Sequence, residues 1–191
     1  MNYSSETINK LYYGNRLINI SVTNGGGGGS SSAETALKEV IEGSVTNIDI
    51  PSGTRAINSY KFYGCTSLSS VTIPSSVMGI SDAAFSGCTS LTSITIPDSV
   101  ISIGTSTFRG CSNLSAATIG SGCTYIRNSA FQNCSKLIIV KIYAETPPTL
   151  GSIAFSNTND CPIYVPSASV EAYKSARGWS EYASRIQAIP T

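Results

Sequence analysis

One interval, 23 residues, recurs along this chain of 191 residues and constrains its fold more than any other feature. Ser67–Pro74 reads SLSSVTIP and Ser90–Pro97 reads SLTSITIP, almost letter for letter. In that frame Val45, Leu68, Leu91, Leu114 and Leu137 share one apolar position. Ile48, Val71, Ile94, Ala117 and Val140 share a second; Ile50, Ile73, Ile96, Ile119 and Ile142 share a third, which Val165 continues. Ile57, Ile80, Ile103 and Ile126 precede Phe62, Phe85, Phe108 and Phe131, and Cys65, Cys88, Cys111 and Cys134 follow. The fifth unit takes in one extra residue, which sets Leu150 and Phe155 one place late, and drops one before Ile163.

The x-Ile-x-Ile-Pro pieces alternate apolar and polar with period two, the pattern of a half-buried strand. Pro or Gly then turns the chain, because Pro cannot donate the next ladder hydrogen bond. Equal strands recurring at a fixed interval stack in parallel, about 4.8 Å apart. A single coil cannot bury its own Leu, Ile and Phe, whereas neighbouring coils bury them jointly. The expected fold is a solenoid of 23-residue coils spanning residues 44–166.

Both ends of such a stack expose core and need covers. Ser31-Ser-Ala-Glu34 has capping-box spacing, and Ala33, Ala36, Leu37, Val40 and Ile41 form a helical stripe, so residues 33–43 are expected to form an N-terminal capping helix. At the other end, residues 167–191 are expected to form a helical cap. Ser167 starts a helix over about 168–176, Gly178 stops it, and a short turn follows with Trp179, Tyr182 and Ile186 on one side. Trp179 reads as part of this lid, with ligand stacking as the alternative. Residues 25–32, five glycines and then three serines, lack the Gly-Lys-Ser/Thr ending of a phosphate loop and read as a flexible linker.

Residues 1–24 stand apart. Ile8–Tyr13, a Gly14-Asn15 turn and Arg16–Val22 predict a small β-hairpin. A lone hairpin is barely stable in water, so it is expected to dock on a larger assembly through Leu11, Tyr13, Leu17, Ile18 and Ile20.

Little chemistry is available. The chain has no histidine, which removes the commonest general base and metal ligand. Its Asp and Glu are scattered, without the paired spacing of a glycosidase. Cys65, Cys88, Cys111 and Cys134 form a file, one per coil, and a file cannot converge on a tetrahedral zinc. Free Cys behaves as a small buried hydrophobe, and that is the expectation for these four and for Cys123. No enzyme, metal or cofactor is expected. The net charge of +1 gives no field for nucleic acid, and no apolar run reaches the ~18 residues of a membrane helix. The first residues carry neither a basic nor an apolar leader region, so the chain is either made without export or has lost its leader.

What remains is surface. The residue between the two strand isoleucines must point outward, which gives the row Asp49, Thr72, Thr95, Thr118, Lys141 and Tyr164. Such a row suits a glycan or a protein loop, although good β-propensity alone also explains Thr there. Larger groups interrupt the repeat at Arg109, Tyr125 and Arg127, which are further candidate ligand contacts.

The unit Ile-x-x-x-x-Phe-x-x-Cys-x-x-Leu-x-x-Val/Ile-x-Ile-Pro, as in Ile80–Pro97, resembles the BspA-type leucine-rich repeats of gut and oral bacteria. The resemblance covers residues 44–189, including Ala144–Leu150, Cys161–Pro166 and Val170–Lys174. It implies an α/β repeat fold, a right-handed leucine-rich-repeat solenoid with parallel strands capped by short helices, which the small hairpin precedes. It also implies adhesion to host proteins and cell surfaces, and no shared active site. Leu11–Ile18 (LYYGNRLI) is similar to short segments of phage tail and head-fibre proteins. The expectation is therefore a non-catalytic adhesin-like module for a surface glycan or protein, carried on a virion or an extracellular surface. A purely structural virion spacer and an exported bacterial surface protein are the alternatives.

Overall fold

A computed structural model describes residues 9–13 and 16–20 as backbone and residues 46–190 in full. The expected linker and N-terminal capping helix lie outside the described residues. Two short strands form first, β1 (Asn9–Tyr13) and β2 (Arg16–Ile20), paired antiparallel with Tyr13 opposite Arg16. This register puts Leu11, Tyr13, Ile18 and Ile20 at positions of one face and Leu17 at a position of the other. β1 runs beside the first strand of the repeat region.

From Asn47 on, five coils contribute a strand to each of two faces and the sixth adds a strand to the first. On the first face lie β3 (Asn47–Asp49), β5 (Ser70–Thr72), β7 (Ser93–Ile96), β9 (Ala116–Ile119), β11 (Ile139–Ile142) and β13 (Ile163–Val165). On the second lie the two-residue strands β4 (Ala56–Ile57), β6 (Gly79–Ile80), β8 (Ser102–Ile103), β10 (Tyr125–Ile126) and β12 (Thr149–Leu150). All pairs within these two faces are parallel, and the register follows the repeat, Ile94 opposite Ala117 and Ile80 opposite Ile103. The extra residue is absorbed before β12, so Ile126 faces Leu150. The solenoid expected from the period is what the chain forms.

The interior explains why. Leu68, Leu91, Leu114 and Leu137 are all sealed from solvent, as are Phe85, Phe108 and Phe131. Phe62, Phe85, Phe108, Phe131 and Phe155 form one near-parallel file with ring centroids 5.1–5.4 Å apart, the offset stacking that aromatic quadrupoles favour. Burial of each ring stabilises the stack by roughly 1.5–3 kcal/mol. The turn beside this file has two left-handed positions in every coil, the first held by Tyr60, Ala83, Ser106, Ser129 and Ile153. Gly64, Gly87 and Gly110 supply the second, then Asn133 and Asn157, with φ between 59° and 75°. Glycine and asparagine are the residues that reach this region at least cost.

The C-terminal end differs from expectation. Ser167 does not cap a helix. Ser167–Ser169 form a 3-10 turn, and the helix α1 runs only from Val170 to Ser175, with no side-chain cap. Nor is the segment wholly helical: after a second 3-10 turn, Ser180–Arg185, the chain adds a strand, β14 (Ile186–Ala188), parallel to β13. Ile186 stands opposite Ile163, so the 23-residue register survives after the letters of the repeat are gone. Trp179 is fully buried, its indole N–H donates to Pro148 O at 2.7 Å, and its ring continues the phenylalanine file. Tyr173 is buried beside it and donates to Ala144 O at 2.8 Å. These contacts make Trp179 a lid and leave it unable to stack on a ligand.

Candidate functional site

The outward row on the first face forms as the strand alternation requires. Asp49 is opposite Thr72, and Thr95, Thr118, Lys141 and Tyr164 follow one another in register. β14 extends the row by Gln187, which a helical reading of the C-terminus had hidden. The ladder breaks between β5 and β7, where Thr92 N–H still donates to Ser69 O. Asp49, Thr72 and Thr95 are exposed, and Thr118, Lys141 and Tyr164 are half-buried.

The second face is different. Its outward positions run Ala56, Gly79, Ser102, Tyr125 and Thr149, so one aromatic ring stands up among small residues. Tyr125 is 44% exposed, and the Arg127 guanidinium carbon lies 5.4 Å from its ring centroid, a cation–π pair. Together they form a ridge. On one side is a shallow depression of about 300 Å³ over Gly79, Ser102 and Gly104. On the other is a cleft of about 680 Å³ whose walls include Tyr125, Arg127, Pro148, Leu150 and Arg177.

The irregular fifth coil builds this cleft. The extra residue lies before β12, and Pro148 O accepts from the indole N–H of Trp179. Gly178, at φ 83°, then packs so closely on Leu150 that a Cβ there would meet Leu150 O at 3.1 Å. The cap is thereby fixed against the fifth coil, with Arg177 beside the cleft. Gly151 forms part of the floor, and a side chain there would collide with Asn128. Sequence reasoning found Tyr125 and Arg127 as breaks in the repeat. It missed Arg177, which lies where no repeat exists to break. Arg109 is exposed on the phenylalanine–cysteine side of the coil and does not line the cleft. The nominated residues thus fall on three sides of the solenoid.

The carboxylates and thiols have structural work. Asp82 accepts from Thr105 N–H and Asp98 from Ser121 N–H, each at 2.7 Å, and Asn128 repeats the contact with Ser152 N–H at 3.1 Å. These are ties from one coil to the next. Cys88, Cys111 and Cys134 donate to the carbonyls of Phe62, Phe85 and Phe108 in the preceding coil, at 3.0–3.1 Å. Burial pushes the thiols of Cys88 and Cys134 up to about 12 and that of Cys123 up to about 11. The thiolate that a nucleophile or metal ligand requires is therefore strongly disfavoured. Cys161 is held otherwise: buried Arg185 donates to its carbonyl at 2.8 Å, to its sulfur at 3.3 Å and to Thr158 Oγ1 at 3.0 Å.

Among the described residues, no helix is long and apolar enough to cross a membrane. A family model described as the BspA type leucine rich repeat region matches residues 40–162 in six copies. A leucine-rich repeat protein from Bacteroides ovatus is similar at 28% identity and TM-score 0.41, over 65% of this chain and 44% of that one. A leucine rich cell surface protein from Faecalibacterium prausnitzii is similar at 19% identity and TM-score 0.39, over 82% of this chain and 62% of that one. The chain spans less than two thirds of either structure's length. No curated protein matches it.

Proposed function

The chain belongs to the BspA-type leucine-rich repeat family, and from that premise we propose that it is a non-catalytic, adhesin-like binding module working at an extracellular surface. Its partner is a cell-surface glycan or protein, and the solenoid is the rigid scaffold that presents the binding face. Residues 1–24 attach the module to a larger assembly, for which a virion is one candidate.

The observation that carries this reading is the departure from repetition at one place on the surface. The core repeats through five coils, while the second face breaks into a ridge and a cleft at Tyr125, Arg127 and Arg177. Concave sites with a few placed polar groups are where ligands bind, and long, stiff solenoids offer such surfaces without spending stability on them. The flat row from Asp49 to Tyr164 is the second candidate surface, supported by its outward register.

The test is a screen of the whole labelled chain against arrayed glycans and extracellular-matrix proteins, repeated with Arg127→Ala. Saturable binding weakened by that substitution is the expected result. Saturable binding that Arg127→Ala leaves intact would assign recognition to another face. Absence of binding across both arrays would favour a structural spacer.

A further inference from the structure

We propose that the cleft beside the Tyr125–Arg127 ridge binds a carboxylate-bearing sugar, such as a uronic acid within an acidic glycan. The inference rests on the binding-module reading and specifies its ligand.

Charge comes first. Arg127 and Arg177 both line the cleft, and no Asp or Glu does. Among the described residues neither arginine forms an ion pair; the contact of Arg127 is with the Tyr125 ring. The other arginine of the C-terminal region, Arg185, is consumed by Cys161 and Thr158. Two guanidinium groups thus stand at one concavity in a chain whose net charge is only +1. A guanidinium fork matches a planar carboxylate with two parallel hydrogen bonds, which gives orientation as well as attraction.

Shape and polarity favour a sugar over a peptide. Tyr125 offers an exposed ring whose negative face suits the polarised C–H bonds on one side of a pyranose. Beside the apolar Pro147, Pro148 and Leu150, the cleft presents four short polar groups, Thr105, Asn128, Thr149 and Ser152. Asn128 uses its oxygen on Ser152 N–H, which leaves its amide nitrogen to donate to a hydroxyl. A peptide would dock by adding a strand to a sheet edge or by filling an apolar pocket. The edge strand here, β12, is two residues long and follows Pro147-Pro148, too short to template another strand. The depression on the far side of Arg127 carries Asp82 among its lining residues, so the acidic sugar is assigned to the cleft alone.

The probe is a trisaccharide of galacturonic acid, titrated into the whole protein by calorimetry. Its methyl ester, which keeps the rings and removes the charges, is the control, and a short poly-glutamate is the competitor class. The acid is expected to bind, and the ester to bind at least tenfold more weakly. Arg127→Ala and Arg177→Ala are each expected to weaken binding about tenfold or more, as loss of a charged hydrogen bond implies. Tyr125→Phe should preserve binding and Tyr125→Ala reduce it, while Lys136→Ala, exposed and outside the cleft, should leave it unchanged. Unchanged melting temperatures of these surface variants would exclude misfolding. Equal binding of acid and ester would overturn the proposal. So would binding of poly-glutamate without the sugar, or insensitivity to both arginines. If the acid does not bind while the arrays report another ligand, this proposal fails and the binding-module reading stands.

Discussion

On the first face of the solenoid the outward position passes evenly through Asp49, Thr72, Thr95, Thr118, Lys141 and Tyr164. On the second face it passes through Ala56, Gly79 and Ser102 and then rises to Tyr125. Both faces stand on the same core of stacked Leu, Ile, Phe and Cys, so the core does not account for the difference. A β-strand needs only that alternate residues be buried, and the outward residue is left to selection on the surface. The first face keeps polar residues, three of them threonines of good strand propensity. The second clears a floor with Gly, Ser and Ala and ends it at an aromatic–arginine wall. What the faces share is stability, and the proposed recognition rests on what differs between them.

That division can be broken by substitution. The largest effect should come from the shared core. Phe108→Ala leaves a cavity between two stacked rings and should cost about 3–5 kcal/mol in chemical denaturation. A loss below 1 kcal/mol would show that the ring file does not hold the coils together. Gly151→Ala comes next, since the new methyl group must push Asn128 aside. Overpacking of this kind costs about 1–3 kcal/mol, and the cleft floor should move with it, seen as weakened ligand binding.

The cysteine file gives a smaller effect with a pH signature. Cys88→Ala should cost about 1–2 kcal/mol at neutral pH. In the unfolded chain the thiol ionises near its ordinary value of 9, whereas in the fold it holds its proton to about 12. The unfolded state therefore loses the proton first. Stability should be level below pH 9 and decline as pH rises from 9 towards 12. The Cys88→Ala variant should show a shallower decline, and thiol reagents should label Cys88 and Cys134 only after denaturation. Labelling of the native protein at neutral pH would contradict the burial. The smallest effects belong to the surface: Arg127→Ala and Lys141→Ala should each change stability by less than about 0.5 kcal/mol. A larger loss at Arg127 would make the ridge a structural element.

Much of this architecture could be read from the letters. The strands, the turns and the ring file follow from residues that recur every 23 positions, and register is a consequence of burial on one side. Tyr125 and Arg127 were visible because they interrupt that recurrence. Arg177, Gln187 and the strand β14 were not. Past Pro166 the spacing persists while the residue types change, because the last coil packs against the Trp179–Tyr173 lid instead of another coil. Pattern identifies an element only where its neighbours impose the same demand. The cleft arises from contact between the irregular fifth coil and the cap, a long-range meeting of Pro148 with Trp179 that no local signal announces.

The most direct measurement is to map a ligand's footprint by backbone amide NMR, using the whole chain and the strongest binder from the glycan and matrix-protein screens. Recognition at the second face should shift amides of residues 125–128, 149–152 and 176–178, and leave the outward row of the first face unmoved. Shifts confined to Thr72, Thr95, Thr118 and Lys141, with Tyr125, Arg127 and Arg177 unchanged, would contradict the assignment and return recognition to the regular row.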